Sequence, residues 1–376
     1  MTDADNTTIF DLIVAYSGAI AKSARNGNYK EAVPFSANSK NEIYNDSYRY
    51  FLSRCKKMGI KAAFATSDDI IGEGLFQSFW TYDKGWKRNY GKAHSKIFLY
   101  KFTPTTQKQK LKLKLLTDSK SIYLFNNQRL KDIFQNKLNT YKHFKEFAIP
   151  TVEVKNLSAR EVNTAKGEMD SLLKKSKYKN DFNGSYIIKD KTGSSGLKIF
   201  KVNFDKSGIA NGDEITRQFE SDKKRKKISS YIMQPFIDCN DGFVFGKSGG
   251  LIDLRVIVLN DEIIQTYIRI AKKGSFKCNE HQGGDLIYIP INEIPREVLA
   301  MTGKIIKSLK KKLNLKHSLY ALDFIRSDSG NLYFIEGNDR PGLDWNHKKA
   351  INERKAKELI NMIVDELKLI VKEKNI

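Results

Sequence analysis

LYALDFIRSDSGNLYFIEGN, residues 319–338, is the stretch on which the reading of this chain turns. Two apolar runs flank D-S-G-N, a turn signature. With the turn centred on Ser329-Gly330, Asp328 faces Asn331, and counting outward Asp323 faces Glu336. Residues directly opposite in an antiparallel pair share a face, as do residues i and i+2 along one strand. Asp323, Glu336 and Asn338 are therefore expected to converge on one side of a hairpin. Opposed carboxylates repel each other, and a bound cation removes that penalty. Oxygen donors without His or Cys suit Mg²⁺, which keeps waters and shares phosphate oxygens. The plain alternative is a solvent-facing polar side of an amphipathic hairpin. Both flanks are apolar on both faces, which argues against it.

Two further hairpin-like stretches carry polar loops. In SYIIKDKTGSSGLKIFKV (185–202), Lys189 ends one strand, a Gly/Ser loop follows and a second strand returns. Backbone amides of such a turn can cradle phosphates, with the lysine as a point charge. The G-K-[S/T] ending of a Walker A loop is absent, and a strand follows where a dinucleotide fingerprint needs a helix. Taken alone, it reads as an ordinary loop. In QTYIRIAKKGSFKCNEHQGG (265–284), Arg269 ends a strand, and a basic loop carries Asn279, His281 and Gly283-Gly284. Arginine and amide donors beside a tight glycine pair can hold phosphoryl or carboxylate groups. A structural loop accounts for the pattern equally well, and His281 alone reads as a surface histidine.

Upstream, the rhythm is different. FDLIVAY (10–16) reads as a short buried strand, 45–57 as a helix with Tyr48, Leu52 and Cys55 on one face, and 60–66 as a second strand. Gly59 sits where a helix C-cap is expected. Strands at 95–100 and 121–125 complete an α/β unit with parallel pairing, closing near residue 127. Trp80 and Trp86 read as packing anchors, a substrate role being the alternative. A helix over 136–147 stops before Ile149-Pro150, as the restriction on pre-proline residues requires. Strands follow at 185–189, 197–202, 231–237, 253–259 and 262–270, with amphipathic helices at 298–313 and 351–371. GFVFGKSGG (242–250) reads as a mobile loop or a β-turn excursion.

The chain has 376 residues, enough for two to three units that each bury a core. No apolar run reaches membrane-spanning length. The acidic start, MTDADNTTIF, lacks the layout of a signal peptide. Cys55, Cys239 and Cys278 are far apart and read as reduced thiols of a cytoplasmic protein. The net charge of +23 fits affinity for polyanions or an acidic substrate. No nucleic-acid motif stands out, so the surplus is read as compositional bias before it is read as a nucleic-acid surface. The runs KQKLKLK (108–114) and SDKKRKK (221–227) read as solvated faces or loops. Oligomeric state stays open.

In this order, NKLNTYKHFKEFAIPTVEV (136–154), YIIKDKTGSSG (186–196), IMQPFI (232–237), DLRVIV (253–258), IRIAKKGSFKCNEHQGG (268–284), LDFI (322–325) and FIEGNDRPGL (334–343) resemble the ATP-grasp superfamily, most closely its ribosomal-protein glutamate ligase and glutathione synthetase-like branch. The resemblance covers roughly residues 128–348. It implies an α/β (α+β) chain: an N-terminal α/β unit over 1–127, then a two-lobed ATP-grasp domain with antiparallel sheets, its lobes at 128–235 and at 236–376 with the C-terminal helix. It implies ATP and Mg²⁺, with Mn²⁺ as a substitute. Lys137 and Lys189 match the nucleotide-binding lysines. Gly193, Ser194, Ser195 and Gly196 match the loop that closes over the phosphates. Gln234, Phe236 and Ile237 match the strand that meets adenine. Arg255, Arg269 and Asn279 match catalytic positions, and Asp323, Glu336 and Asn338 match the metal ligands. The implied activity is a carboxylate–amine (or carboxylate–thiol/peptide) ligase working through an acyl-phosphate, on small-molecule or peptide substrates, without a membrane. A kinase on the same scaffold, or a non-catalytic ATP- or RNA-binding protein, are the alternatives.

Some positions depart from the family pattern. Pro235 stands where an acid is common. The chain is long between Ile237 and Asp253, which reads as a substrate-specific insertion. Gly337 replaces a branched residue and is expected to loosen its strand.

Overall fold

The apolar run in FDLIVAY forms the strand Leu12–Tyr16, buried over its first four residues. It pairs in parallel with Ala62–Thr66 on one side and Ile97–Lys101 on the other. The computed structural model describes residues 7–25, 33–104, 106–176, 179–193, 198–206, 208–209, 212–224, 230–279, 283–345 and 349–374. Tyr123–Leu124 extends the sheet in parallel at one edge, and Phe79–Tyr82 and Trp86–Asn89 add antiparallel strands at the other. The connecting helix Tyr44–Lys57 buries Tyr48, Phe51, Leu52 and Cys55. Its end is a Schellman motif: Ile60 N–H donates to Cys55 O, Gly59 N–H donates to Lys56 O, and Gly59 has φ +77°. Trp80 is fully buried, donates from Nε1 to Lys22 O at 2.9 Å and packs edge-on against Trp86. These strands belong to a unit formed by Met1–Asn127, Lys316–Leu319 and Gly342–Ile376.

That membership corrects one expectation. The helix Ala350–Glu373 groups with this N-terminal unit, not with the second lobe of the downstream domain. It runs beside Tyr44–Lys57, where Tyr50 Oη donates to Asn361 Oδ1 at 3.0 Å and Arg54 pairs with Asp365 at 2.9 Å. An apolar stripe says that a face is buried, not against what.

The second unit comprises Gln128–Leu315 and Tyr320–Pro341 and holds two sheets. The first runs in the order Val152–Val154, Tyr231–Ile237, Phe182–Asp190, Ile199–Val202, all antiparallel. Helix Ala159–Lys174 covers it, placing Val162, Ala165 and Met169 in a core with Ile188 and Val202. The second sheet has the order Asp285–Tyr288, Glu262–Ile270, Ile252–Leu259, Leu319–Arg326, Leu332–Asn338. Helix Arg296–Lys310 contributes Val298, Ile305 and Leu309 to its core, which also takes Phe134 and Phe144.

The helix expected over 136–147 is only Lys137–His143. Beyond it the chain is drawn into strand-like pairing: Phe334 N–H donates to Phe147 O at 2.9 Å, and Ile149 N–H donates to Phe334 O at 3.3 Å. The segment 242–250 is a pinned turn. Phe243 is buried in the second sheet's core, Phe245 pairs with Ser248, and a Cβ on Gly242 would lie 1.7 Å from Arg326 O.

Candidate active site

The hairpin 319–338 brings Asp323 opposite Glu336 and Ala321 opposite Asn338, so the two acids and the amide share a face. The route differs from the simple count. Ser327 N–H donates to Asn331 O and Gly330 N–H to Ser327 O, with Gly330 at φ +90°. This closes a three-residue loop, Asp328 to Gly330, with glycine in the left-handed position that such loops need. The loop alone would slip the register by one. A β-bulge at Ile335 restores it, because Phe324 pairs with Phe334 and Asp323 with Glu336.

Gly337 also has a reason. A Cβ there would lie 2.2 Å from the Phe134 ring, so glycine makes room for an aromatic core residue. The sequence reads the position only as a loosened strand, and the room it leaves for Phe134 is visible only in the fold.

Asp323 is 1% exposed. Its oxygens accept from Arg255 Nε and Nη2, both at 2.6 Å, and from Arg269 Nη2 at 2.8 Å. Arg269 also forks onto Asp253, Nε to Oδ1 at 2.6 Å and Nη2 to Oδ2 at 2.9 Å. The strands supply this geometry directly: Asp253 lies opposite Arg269, Arg255 opposite Tyr267, and Ile252–Leu259 borders Leu319–Arg326. Burial pushes the Asp323 carboxyl up, but the two guanidiniums pull it down further, to about 2. Burial leaves Asp253 raised despite Arg269, and the neighbouring Asp323 charge adds to the rise.

Glu336 reaches toward the other sheet. Its Oε2 is 3.7 Å from Lys137 Nζ, and its side chain is 30% exposed. Burial raises this carboxyl, while Lys137 and Lys189 bring it below the ordinary range. Lys137 is tied to the loop after Lys189: its Nζ donates to Gly193 O, and its backbone N–H donates to Lys191 O at 3.0 Å. Lys189 is 6% exposed, and burial drives its ammonium down to about 8; Glu336 opposes the fall and Lys137 adds to it. The repulsion expected between opposed carboxylates is thus met by protein cations. Lys137, Lys189, Arg255 and Arg269 face Asp253, Asp323 and Glu336, which leaves one positive charge in excess for an anion.

The remaining expected residues lie around this cluster. Gln234 sits on the strand beside Lys189's, and its Nε2 donates to Thr151 Oγ1 at 2.8 Å. Phe236 packs edge-on against Phe276, with Lys201 Nζ 3.5 Å from its ring centre. Ile237 pairs with Phe182 across a register shift, and Pro235 lies past the last rung with Val152–Val154. Asn279 O accepts from Gly284 N–H at 3.2 Å. Gly283 has φ +89°, and a Cβ on Gly284 would lie 2.3 Å from Cys278 O. Cys278 is buried, and burial pushes its thiol far up, which leaves it a poor nucleophile. Ser194, Ser195, Gly196 and His281 lie outside the described residues. Asp253 escaped the sequence reading, although D-L-R places it on Arg255's face.

The donor set can be tested against a divalent cation. Among the described residues, no three His, Cys, Asp or Glu side chains gather into a metal cage. Asn338 Oδ1 already accepts from Arg340 N–H at 2.9 Å. Asp323, Glu336 and Asn338 on one face are nevertheless the donor chemistry of a hard cation that draws its other oxygens from phosphate and water, as Mg²⁺ does.

A family model, the RimK-like ATP-grasp domain, matches residues 151–363, more than half of the chain. A probable alpha-L-glutamate ligase from Haemophilus influenzae is 27% identical over 164 residues, 44% of this chain and 45% of that protein. The chain thus matches less than half the length of that curated relative. Among solved structures, D-cycloserine synthetase DcsG aligns with a TM-score of 0.57 at 12% identity, over 95% of this chain and 99% of that one. The ATP-grasp ligase PsnB, complexed with a phosphomimetic variant of a minimal precursor, Mg and ADP, aligns with a TM-score of 0.52 at 11% identity, over 95% and 99%. Likeness at such low identity speaks for the fold, and the family model adds the lineage: the chain belongs to the RimK-like ATP-grasp family.

Proposed function

We propose that this protein is an ATP-dependent ligase that joins a carboxylate to an amine, forming an amide or peptide bond and releasing ADP and phosphate. The observation that carries the reading is the meeting of Lys137, Lys189, Arg255 and Arg269 with Asp323 and Glu336 in the second unit. In the proposed reaction, a substrate carboxylate oxygen attacks the γ-phosphorus of ATP and the bond to the β-phosphate oxygen breaks. The amine then attacks the acyl carbon, and phosphate leaves. Lys137 and Lys189 hold the nucleotide phosphates. Arg269 and Arg255 neutralise charge on the transferring group. Gly193 lies beside the phosphates, while backbone groups of Gln234, Phe236 and Ile237 meet the adenine. Asn279 and the Gly283-Gly284 turn shape the acyl site. Asp323, Glu336 and Asn338 would hold Mg²⁺, which supplies charge neutralisation to the phosphates when bound. No side chain serves as a covalent nucleophile.

The net charge of +23 and the glutamate-ligase relatives favour an acidic substrate, such as a glutamyl compound or an acidic peptide. A cytoplasmic location is part of the proposal, supported by three free, buried cysteines. No helix among the described residues is long and apolar enough to cross a membrane.

The test is incubation with Mg·ATP and pools of amino acids and peptides, followed for free phosphate and amide product. Glu336→Gln should lower turnover on the order of 100- to 1000-fold while the melting temperature holds. Unchanged ATP consumption by this variant would sink the assignment. A phosphorylated product in place of an amide would identify a phosphotransferase.

A further inference from the structure

Asp253 is a buried acid that the proposed chemistry leaves unused. It is 8% exposed, and both its oxygens are spent on Arg269. Asp323, by contrast, is shared between two guanidiniums. Arg269's Nε and Nη2 are therefore committed to carboxylates, and its Nη1 has no hydrogen-bond partner among the described residues.

Stability alone is a weak reason to keep such a pair. A buried ion pair recovers little more than its desolvation cost, and apolar residues of similar volume commonly serve as well. Geometry is a stronger reason. One bond to Asp323 would let the Arg269 guanidinium swing, whereas a two-point fork fixes its plane. A donor fixed in advance stabilises developing charge without reorganising at the moment of reaction. Asp323 is also the poorer anchor, because a cation binding there competes for the same oxygens.

We propose, resting on the ligase reading above, that Asp253 is a positioning residue: its fork on Arg269 turns the free Nη1 edge toward the γ-phosphoryl group of bound ATP. Arg269 then stays aimed whichever partners Asp323 takes.

Asp253→Asn removes one acceptor of the fork. Asp253→Glu keeps the charge and displaces the fork by one methylene. Binding of Mg·ADP and of the analogue Mg·AMPPNP is measured by calorimetry for wild type and both variants, alongside thermal melting. The expected result is Mg·ADP affinity within about threefold of wild type and Mg·AMPPNP affinity reduced on the order of tenfold, the scale of one charged hydrogen bond. Equal losses for both nucleotides, or no loss for either, overturn the proposal. Loss of the fold in both variants assigns Asp253 to stability and overturns it too. If wild type binds neither nucleotide, the ligase reading itself falls; if wild type binds both and the variants discriminate as it does, only the role of Asp253 falls.

Discussion

The hairpins 252–270 and 319–338 lie in one sheet, and both carry charges on the same site, yet their registers are built differently. In 252–270, Leu259 pairs with Glu262 across Asn260-Asp261. Continued without interruption, that register would set Asp253 against Ile268 and strand the acid away from Arg269. A bulge at Ile264 moves the ladder by one, and Asp253 meets Arg269. In 319–338 the loop holds one residue more than a two-residue turn, and the bulge at Ile335 cancels it. Both bulges fall between the turn and the charged rungs, where they re-aim side chains. The acids also differ. Asp253 and Asp323 are enclosed by guanidiniums, whereas Glu336 keeps 30% of its side chain exposed beside Lys137. The two hairpins share the enclosed charges, and only 319–338 also presents an acid outward.

The contrast predicts which acids matter for the fold. Asp323→Ala leaves two buried guanidiniums short of their partner and should cost about 3–5 kcal/mol in urea unfolding. A loss under about 1 kcal/mol would show that the enclosed acid is not structural. Glu336→Gln should show the opposite profile, with activity lost and unfolding within about 0.5 kcal/mol of wild type. Gly337→Ala drives a methyl into the Phe134 ring and should cost about 1–3 kcal/mol, part of it recovered by adding Phe134→Leu. No recovery in the double variant would mean that backbone freedom, not room for Phe134, selects the glycine.

The smallest effect is one of pH. Lys189 sits at about 8 in the folded protein, against an ordinary value near 10.5. Between these values the unfolded chain binds the extra proton, so this group makes stability rise with pH over that window. Phosphate binding runs the other way, because it favours the charged ammonium. Nucleotide affinity should hold below about pH 8 and weaken as pH rises toward 10.5. Calorimetry at pH 9 in buffers of different ionisation enthalpy should detect proton uptake on binding. No uptake would place the phosphates away from Lys189.

The strands were legible because apolar runs broken by turn residues are local signals. The opposition of Asp323 and Glu336 was legible for a less secure reason: the count from Ser329-Gly330 omitted both the extra loop residue and the bulge, and the omissions cancel. The fork of Asp253 on Arg269 had no such compensation. Gly337 reads as a weak point until Phe134, far away in sequence, is seen beside it. The short helix Lys137–His143 ends because Phe334 pairs with the segment after it, a partner no local pattern names.

The placement of Ala350–Glu373 has a consequence for synthesis. The N-terminal unit is discontinuous: Gln128–Leu315 and Tyr320–Pro341 interrupt it. Leu359, Ile363, Leu367 and Ile370 belong to its buried face. A nascent chain translated only as far as residue 341 therefore holds every residue of the second unit but an N-terminal unit still missing one wall. On the ribosome the first unit to be translated should be the last to complete its core, and until then helix Tyr44–Lys57 lacks its neighbour Ala350–Glu373.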